Sequence, residues 1–394
     1  MSIKLKSPSA RLGMSTVPVA STTVGLWDQM RAAATPATAA TQRNTKDNSF
    51  ERAVMPRLSH TAVKRVRAAK VRAAKVRAAK VRAAKVRAAN DRGAESVGAA
   101  IERCARALRA ARVYFGHGTT EARDEAAELV FFVAGLAHEL GAEAYARPLN
   151  ERKVARIDAL LHRRIAERMP LPYLTHRAFF AGLELYVDER VLVPRSPIAE
   201  LVLQRFAPWI GGRVRRVLDI GTGSGAIALA CAKAFPRARV DAADISAAAL
   251  QVCRRNVRRL GLGKRVSVLR SDYFSAVAGR RYDIIVSNPP YVGRAEMRAL
   301  PPEYRHEPRL GLASGVDGLD SVRAIFASAR THLQDQGILV VEVGNTEASL
   351  LRAFPRLPFI WPRIAMGGGG VFVLKAGDLD AANLGAEIQR ERRN

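Results

Sequence analysis

The strongest constraint on the fold is a regular alternation of strand-like and helix-like segments that begins near residue 211. Short apolar runs rich in Val, Ile and Leu are separated by segments with helical spacing. This alternation is typical of a doubly wound α/β fold with a mostly parallel sheet. Ligands in such sheets bind beyond the carboxyl ends of the strands, so the residues that follow each strand are the candidates for a site. The segments, in chain order, are RRVLDIG, AIALACAKAF, RVDAADI, AAALQVCRRNVRRL, RVSVLRSD, YDIIVSNPPY, a helix near 318–333, GILVVEVGN and GVFVLKAG.

The residues before this sheet have a different periodicity. Between about 97 and 185, apolar side chains recur at three- and four-residue spacing in AAIERCARALRAARVYF, EARDEAAELVFFVAGLAHEL and ERKVARIDALLHRRIAER, which predicts a small helical domain. The segment AFFAGLELYVDERVLVP then alternates as a hairpin does. The predicted organisation is an extension at 1–95, a helical domain at 96–177, a connecting hairpin at 178–196, a sheet domain at 197–378 and a tail at 379–394.

The extension is basic and contains a perfect repeat. K-V-R-A-A occurs four times over 70–89, and residues 1–95 hold 20 Lys or Arg against five Asp or Glu, more than half of the formal net charge of +28. A five-residue period advances about 140° per repeat around a helix, so the valines form no stripe that could pack into a core. We predict a disordered segment that either tethers the protein to RNA or is a repeat without a selected role.

The cysteines and the apolar runs bear on the cellular compartment. Cys104, Cys231 and Cys253 are scattered, with no His or Cys partner at metal-ligand spacing. This pattern argues against a disulfide framework and a zinc site, and it fits a reducing compartment. The longest apolar run, at 129–137, is too short to cross a bilayer. The sequence therefore predicts a cytoplasmic protein without a bound metal.

A glycine-rich loop, DIGTGSGAIALA, follows the first strand. Glycines allow a tight turn and bring backbone N–H groups close to a ligand. The second strand ends at Asp244, where a carboxylate can accept hydrogen bonds from ribose hydroxyls, and the third ends at Asp272 and Tyr273, beside the expected adenine ring. NAD and S-adenosyl-L-methionine (SAM) both fit, because the loop also satisfies a dinucleotide fingerprint with Ala226 in its last place. The residues predicted to contact the cofactor include Asp219, Gly221, Gly223 and Gly225 of the loop and, after the fourth strand, Asn288.

The fourth strand ends in Asn288-Pro289-Pro290-Tyr291 and decides between the two cofactors. Prolines hold a stiff backbone, so the Asn288 side-chain oxygen and the Pro289 carbonyl form two acceptors beside the flat ring of Tyr291. This pocket matches a planar –NH₂ group. Accepting its hydrogens draws the nitrogen lone pair out of conjugation and directs it at an electrophilic methyl group, by orientation and electrostatics. Hydride transfer needs no such pocket, so we predict SAM. A plain strand-to-loop turn is the alternative, and the preceding glycine loop and ribose acid argue against it.

Over roughly residues 97–377, the sequence resembles the HemK/PrmB family of class I SAM-dependent N(5)-glutamine methyltransferases. The resemblance implies a Rossmann-like, mostly parallel sheet preceded by a helical substrate-binding domain. It also implies that the N-P-P-Y residues hold the side-chain amide of a glutamine, that Asp244 binds the ribose and that Tyr273 lies beside the adenine. The SAM loop of the family falls on Gly221, Thr222, Gly223, Ser224 and Gly225.

Longer motifs resemble the PrmB branch of this family. The loop VLVPRSPIAEL, which the resemblance places over the active site and which carries the predicted substrate-binding residue Arg195, lacks the acid-Thr-Glu of the release-factor branch. PPEYRHEPRLGLASGVDGLD and EVGN also resemble PrmB. That branch methylates a glutamine of large-subunit ribosomal protein three, so the implied partner is a ribosomal protein, free or on an assembling ribosome. Within EYRHEP, we interpret Arg305, His306 and Glu307 as groups that order the loop or dock the substrate.

Three alternatives remain open from the sequence. A release-factor glutamine methyltransferase would use the same chemistry, but the P-R-S-P-I loop argues against it. A DNA or RNA amino-methyltransferase shares the N-P-P-Y pocket but should carry a target-recognition domain, and none is recognisable. A nucleic-acid-binding factor that has lost methyltransferase activity would not need the glycine loop, Asp244 and N-P-P-Y together.

Overall fold

The computed structural model describes residues 94–137, 141–365 and 367–381. The first part of this chain is a helical domain with one apolar core, to which three longer helices contribute. Two of them begin at favoured N-cap residues. Ser96 accepts a hydrogen bond from the backbone N–H of Ala99 at 3.2 Å, and Asn150 accepts one from that of Lys153 at 2.9 Å. The helices are α1 (Val97–Ala110), α2 (Ala122–Ala134), α3 (Glu151–Ala166) and the short α4 (Leu171–Thr175).

A short antiparallel hairpin, β1 (Ala178–Phe180) and β2 (Leu183–Leu185), follows the helical domain. Regular pairing ends at Leu185 because the next backbone groups bind a side chain. The Asn256 amide accepts a hydrogen bond from the Tyr186 N–H at 2.8 Å and donates one to the Tyr186 carbonyl at 2.9 Å. The rest of the predicted hairpin, through residue 196, therefore runs as irregular chain.

The predicted α/β sheet is confirmed. It has six strands in the order β5-β4-β3-β6-β7-β8, and all adjacent pairs are parallel except β7 with β8. Apolar side chains alternate between two cores, one on each face, and helices cover both faces, so the central strands are buried on both sides. The elements are α5 (Ile198–Leu203), β3 (Arg216–Ile220), α6 (Ala226–Ala234), β4 (Arg239–Asp244), α7 (Ala247–Arg259), β5 (Val266–Arg270), β6 (Tyr282–Ser287), α8 (Arg294–Ala299), α9 (Asp320–His332), β7 (Leu333–Glu342), α10 (Glu347–Ala353), β8 (Val371–Lys375) and α11 (Ala376–Ala381).

The strand order creates a switch point between β3 and β6. The chain leaves β3 toward β4 and β5 on one side, then returns to β6 on the other. A crevice forms at such a point beyond the carboxyl ends of the strands. The glycine loop follows β3, Asp244 ends β4, and Asn288 follows β6. The fold therefore brings these three predicted sites to the same edge of the sheet.

Two predicted segments lie largely outside the described residues. They are the basic extension, as far as residue 93, and the carboxyl-terminal tail from residue 382. The boundaries of the predicted domains remain a prediction. Within the described ranges, no helix combines the length and the apolar character needed to span a membrane.

Candidate active site

The residues predicted for the site gather largely in one cleft at the carboxyl edge of the sheet. The cleft has a volume of about 390 Å³, within the range of small-molecule sites. Asp219 and Gly225 do not line it, whereas the other predicted residues do. Those lining the cleft are Arg195, Gly221, Thr222, Gly223, Ser224, Asp244, Asp272, Tyr273, Asn288, Pro289, Pro290 and Tyr291.

The glycine loop between β3 and α6 depends on left-handed backbone at three positions. Gly221, Gly223 and Gly225 have φ values of 70°, 54° and 86°, which L side chains rarely adopt. A Cβ on Gly225 would also lie 2.8 Å from the Cys253 sulfur, so this glycine is required for packing behind the loop. A Cβ on Gly223 would meet no atom within 4 Å. The loop therefore presents bare backbone to the cleft, where a ligand can approach closely.

Asp219 lies fully buried beneath this loop and shapes it. Its Oδ2 accepts hydrogen bonds from the Thr222 hydroxyl at 2.6 Å and from the Ala228 N–H at 3.0 Å, whereas its Oδ1 has no hydrogen-bond partner among the described residues. Burial raises the pKa of Asp219 from 3.8 to about 7, although both hydrogen bonds act to lower it. The folded protein thus favours the protonated carboxyl.

We expect the Asp219→Asn substitution to remove part of the pH dependence of stability. A raised folded-state pKa contributes stability below 3.8 that is lost as the pH rises to about 7. Asparagine keeps the accepting oxygen and does not titrate. Urea unfolding at about pH 5 and about pH 8, on either side of the folded-state pKa, should show a smaller loss of unfolding free energy in the variant than in the wild type. Equal losses of unfolding free energy in the two proteins would contradict a raised pKa of Asp219 in the folded state.

Asp244, at the end of β4, lies directly beside the glycine loop and lines the cleft. Its two carboxylate oxygens accept hydrogen bonds from the backbone N–H groups of Gly223 and Ser246, each at 2.8 Å. Burial raises the pKa of Asp244, against these hydrogen bonds. The apolar side chain of Ile245 lies beside it in the cleft and is 46% exposed. Tyr273 also lines this end, with its carbonyl held by the Ser271 hydroxyl at 2.8 Å. A carboxylate next to exposed apolar and aromatic surface suits a ribose and a base.

The N-P-P-Y residues form the wall of the cleft at the end of β6. Their position is fixed by Ser287, whose hydroxyl donates to the Ile220 carbonyl at 2.8 Å and ties β6 to β3. The Tyr291 ring packs closely against Gly344, where a Cβ would lie 2.5 Å from the ring. The side-chain amide of Asn288 lines the cleft and makes no hydrogen bond to any described residue.

Sequence reasoning missed a buried carboxylate beside this wall, Glu342 at the end of β7. Its Oε1 accepts a hydrogen bond from the Tyr291 hydroxyl at 3.0 Å, and its Oε2 accepts one from the Ser196 hydroxyl at 2.5 Å. Burial raises the pKa of Glu342, and the two hydrogen bonds oppose that rise. Glu342 therefore holds the Tyr291 ring and the Ser196 loop together. Its only signal in the sequence was the EVGN motif.

Arg195 is held over the cleft by the EYRHEP loop. Its guanidinium donates to the two carboxylate oxygens of Glu307, at 2.5 and 2.7 Å, and lies over the Tyr304 ring at 5.3 Å from the centroid. Burial acts to raise the pKa of Glu307, but His117 and Arg195 outweigh it and hold this pKa at about 2. Glu307 also accepts the Val193 N–H at 3.0 Å. Glu307 therefore ties the Arg195 loop to the EYRHEP loop through both of its carboxylate oxygens.

A second buried ion network joins the same loop to the helical domain. Arg164 of α3 donates to Glu125 of α2 at 2.6 Å and to the Tyr114 carbonyl at 2.7 Å, and it lies 3.4 Å from Glu303. Glu303 in turn accepts the Tyr114 N–H at 2.9 Å. The side chains of Arg164, Glu125 and Glu303 are all at most 3% exposed. The helical domain therefore supports the loop that holds Arg195.

Comparisons with known proteins show what this chain is similar to. The Methyltransferase small domain family matches residues 198–300. Curated relatives named ribosomal protein uL3 glutamine methyltransferase are 42% identical in Francisella tularensis, over 69% of this chain and 87% of the relative, and 48% identical in Xanthomonas campestris, over 68% and 87%. The relative in Xylella fastidiosa is 47% identical over 68% and 86%. Among solved structures, the human methyltransferase 10 domain containing protein covers 50% of this chain and 89% of its own, at 18% identity and a TM-score of 0.37.

The mostly parallel sheet and the methyltransferase domain at its centre define a class I SAM-dependent methyltransferase. Within that class, the identity shared with the three curated relatives is high and extends over most of their length. The chain belongs to the family of ribosomal protein uL3 glutamine methyltransferases. The predicted family and branch are thereby confirmed.

Proposed function

We propose that this enzyme transfers a methyl group from SAM to the side-chain amide nitrogen of a glutamine in ribosomal protein uL3. The observation that carries the proposal is the placement of Asn288 and Pro289 in the same cleft as the glycine loop and Asp244. The residues proposed to bind the amide therefore lie beside the residues proposed to bind the nucleoside of SAM. The choice of uL3 as the substrate rests on the curated relatives, which are named ribosomal protein uL3 glutamine methyltransferase.

The cleft has the groups that SAM requires, and SAM supplies an electrophilic methyl group when bound. Asp244 is the residue to accept hydrogen bonds from the ribose hydroxyls, and Ile245 and Tyr273 offer surface for the adenine ring. The bare backbone at Gly221 and Gly223 admits the remainder of the cofactor closely. Asp219 and Gly225 act from behind the loop, by holding its shape.

The wall formed by Asn288, Pro289, Pro290 and Tyr291 binds the glutamine amide. The Asn288 side-chain oxygen and the Pro289 carbonyl accept the two amide hydrogens, and the Tyr291 ring, fixed by Glu342, lies against the amide plane. The nitrogen gains the methyl group and loses one proton to water, so the products are N(5)-methylglutamine and S-adenosylhomocysteine. Orientation and preorganised acceptors supply the catalysis, and no strong base is needed.

The charge of the protein bears on where the enzyme encounters its substrate. The formal net charge of +28 favours attraction to polyanions. A ribosomal protein is surrounded by RNA once it joins a particle. We therefore place the reaction in the cytoplasm, on uL3 during assembly of the large subunit, with the basic extension as an RNA contact.

Intact-mass analysis of purified uL3, incubated with this enzyme and SAM, tests the function. We expect a gain of one methyl group that peptide mapping assigns to a glutamine side chain. A release factor and deproteinised ribosomal RNA, incubated in parallel, are the comparison substrates. Methylation of the release factor or of the RNA in place of uL3 would show that the proposed substrate is wrong. Methyl transfer from SAM would still be the reaction.

A further inference from the structure

A row of basic side chains crosses the sheet at the edge opposite the cleft. Arg216 and Arg239 are the first residues of β3 and β4 and lie directly opposite each other in the parallel register. Arg265 precedes β5, and its carbonyl accepts the N–H of Val240, so it follows next in the row. Neighbouring strands are about 4.8 Å apart. Three cationic side chains therefore stand side by side at the amino ends of adjacent strands.

Further basic residues enlarge this row into a surface, which we call the amino edge. Loops before the strands and the carboxyl ends of α6 and α7 meet here, because the helices run opposite to the strands they follow. Arg265 is partly covered and donates to the Ala232 carbonyl at 2.7 Å, whereas the others are exposed. The residues of the amino edge are Arg213, Arg215, Arg216, Lys233, Arg237, Arg239, Arg258, Lys264 and Arg265.

Carboxylates do not neutralise this surface. Asp283 is the nearby acid, and its Oδ2 accepts the backbone N–H groups of Arg215 and Arg216 at 2.7 and 2.8 Å. Within the described part of the chain, Arg216, Arg239 and Lys264 form no ion pair. Like charges directly opposite each other in a sheet are destabilising. An anionic ligand at the amino edge would relieve that repulsion.

We propose that the amino edge binds the phosphate backbone of RNA. A line of cations on adjacent strands suits a chain of phosphates. None of the exposed large apolar side chains of the described residues belongs to the amino edge, so it offers neither a stacking platform for bases nor a wedge for a lipid surface. The contact is therefore independent of sequence. Strands of five or six residues separate the amino edge from the cleft, and bound RNA leaves the cleft open to a protein substrate.

Salt-dependent binding of a labelled single-stranded RNA to the full-length protein tests this proposal without methyl transfer. The test variant is Arg216→Gln/Arg239→Gln/Lys264→Gln. We expect its affinity to fall about tenfold or more, and its slope of log K against log salt to fall by about 2, as three lost phosphate contacts on a single strand predict. The control variant removes three exposed arginines of the helical domain and should bind nearly as the wild type does. It is Arg106→Gln/Arg109→Gln/Arg152→Gln.

Each other outcome of the experiment overturns the proposal. Equal losses in the test and control variants would mean that only net charge matters, and an unchanged affinity would mean that RNA binds elsewhere. Loss of binding to anionic phospholipid vesicles, with RNA binding intact, would identify a membrane surface instead.

A second variant, Arg216→Lys/Arg239→Lys, should keep RNA affinity because it keeps the charge. Unchanged methylation of free uL3 by the test variant would show that it is folded, and this readout separates the proposal from the proposed function.

Discussion

The Asn288→Ala substitution is expected to lower kcat for methyl transfer to uL3 by roughly 100- to 1,000-fold. Asn288 supplies one of the two acceptors proposed to orient the glutamine amide, and its side chain has no other hydrogen-bond partner among the described residues. Removing it leaves the amide lone pair conjugated and poorly aimed at the methyl group. The affinity for SAM should change far less than the rate, because Asp244 and the glycine loop are intact. Initial rates and a SAM titration on the same preparations measure both quantities.

Asn345→Ala is the matched control for this experiment. Asn345 also lines the cleft, but it is exposed at the rim, and its amide donates to Glu296 at 3.2 Å. The control removes the same amide group from the same cleft, and we expect a small effect on kcat. If both variants lost the same factor in kcat, or if Asn288→Ala lost SAM affinity in proportion to its rate, the amide-binding role of Asn288 would be wrong.

The Arg164→Met substitution is expected to lower the free energy of unfolding by about 3–5 kcal/mol. Arg164 is buried between Glu125 and Glu303 and also donates to the Tyr114 carbonyl. Methionine fills much of the volume but leaves Glu125 buried without its cation and Glu303 with only the part-exposed Arg168, at 3.6 Å. The desolvation of these buried carboxylates is the source of the cost. Urea unfolding of the full-length protein, followed by circular dichroism, measures the change.

Arg163→Met is the control, because the same substitution one residue earlier removes an exposed cation. Arg163 pairs with Glu167 on the surface of α3, and both side chains are more than 40% exposed. Solvent screens such a pair, so its loss should scarcely change stability. Similar unfolding midpoints for the two variants would show that the buried network contributes no more than a surface pair.

The sheet and its active edge were predictable because their signals are local. Buried parallel strands appear as apolar runs, and the residues after each run lie at the carboxyl edge whatever the details of packing. Asp244 and Asn288 therefore came to one cleft as expected. Gly225 and Asp219 stand in the same motif, yet they act from behind the loop. The motif does not show which side of the loop each residue faces. Gly225 packs behind the loop against Cys253, which is 28 residues away in the chain.

The supporting residues could not be predicted, because their partners are distant in the sequence. Glu342 ends an apolar strand and meets Ser196 across 146 residues. Arg164 stands in a helix rich in exposed arginines, where its neighbour Arg163 is exposed. It is enclosed by Glu125, by the Tyr114 carbonyl and by the Glu303 loop, which comes 139 residues later. Whether a charged side chain is solvated or buried in a network is decided by what packs over it.

The fold class, the cofactor and the amide chemistry were predictable from the amino-acid sequence, since backbone periodicity and short motifs carry these within a few residues. The carboxylates that hold Arg195, Arg164 and Tyr291 in place became apparent from the folded chain, because distant segments supply them. The tertiary structure also aligned the arginines of the amino edge, because strand register sets which residues of separate segments become neighbours.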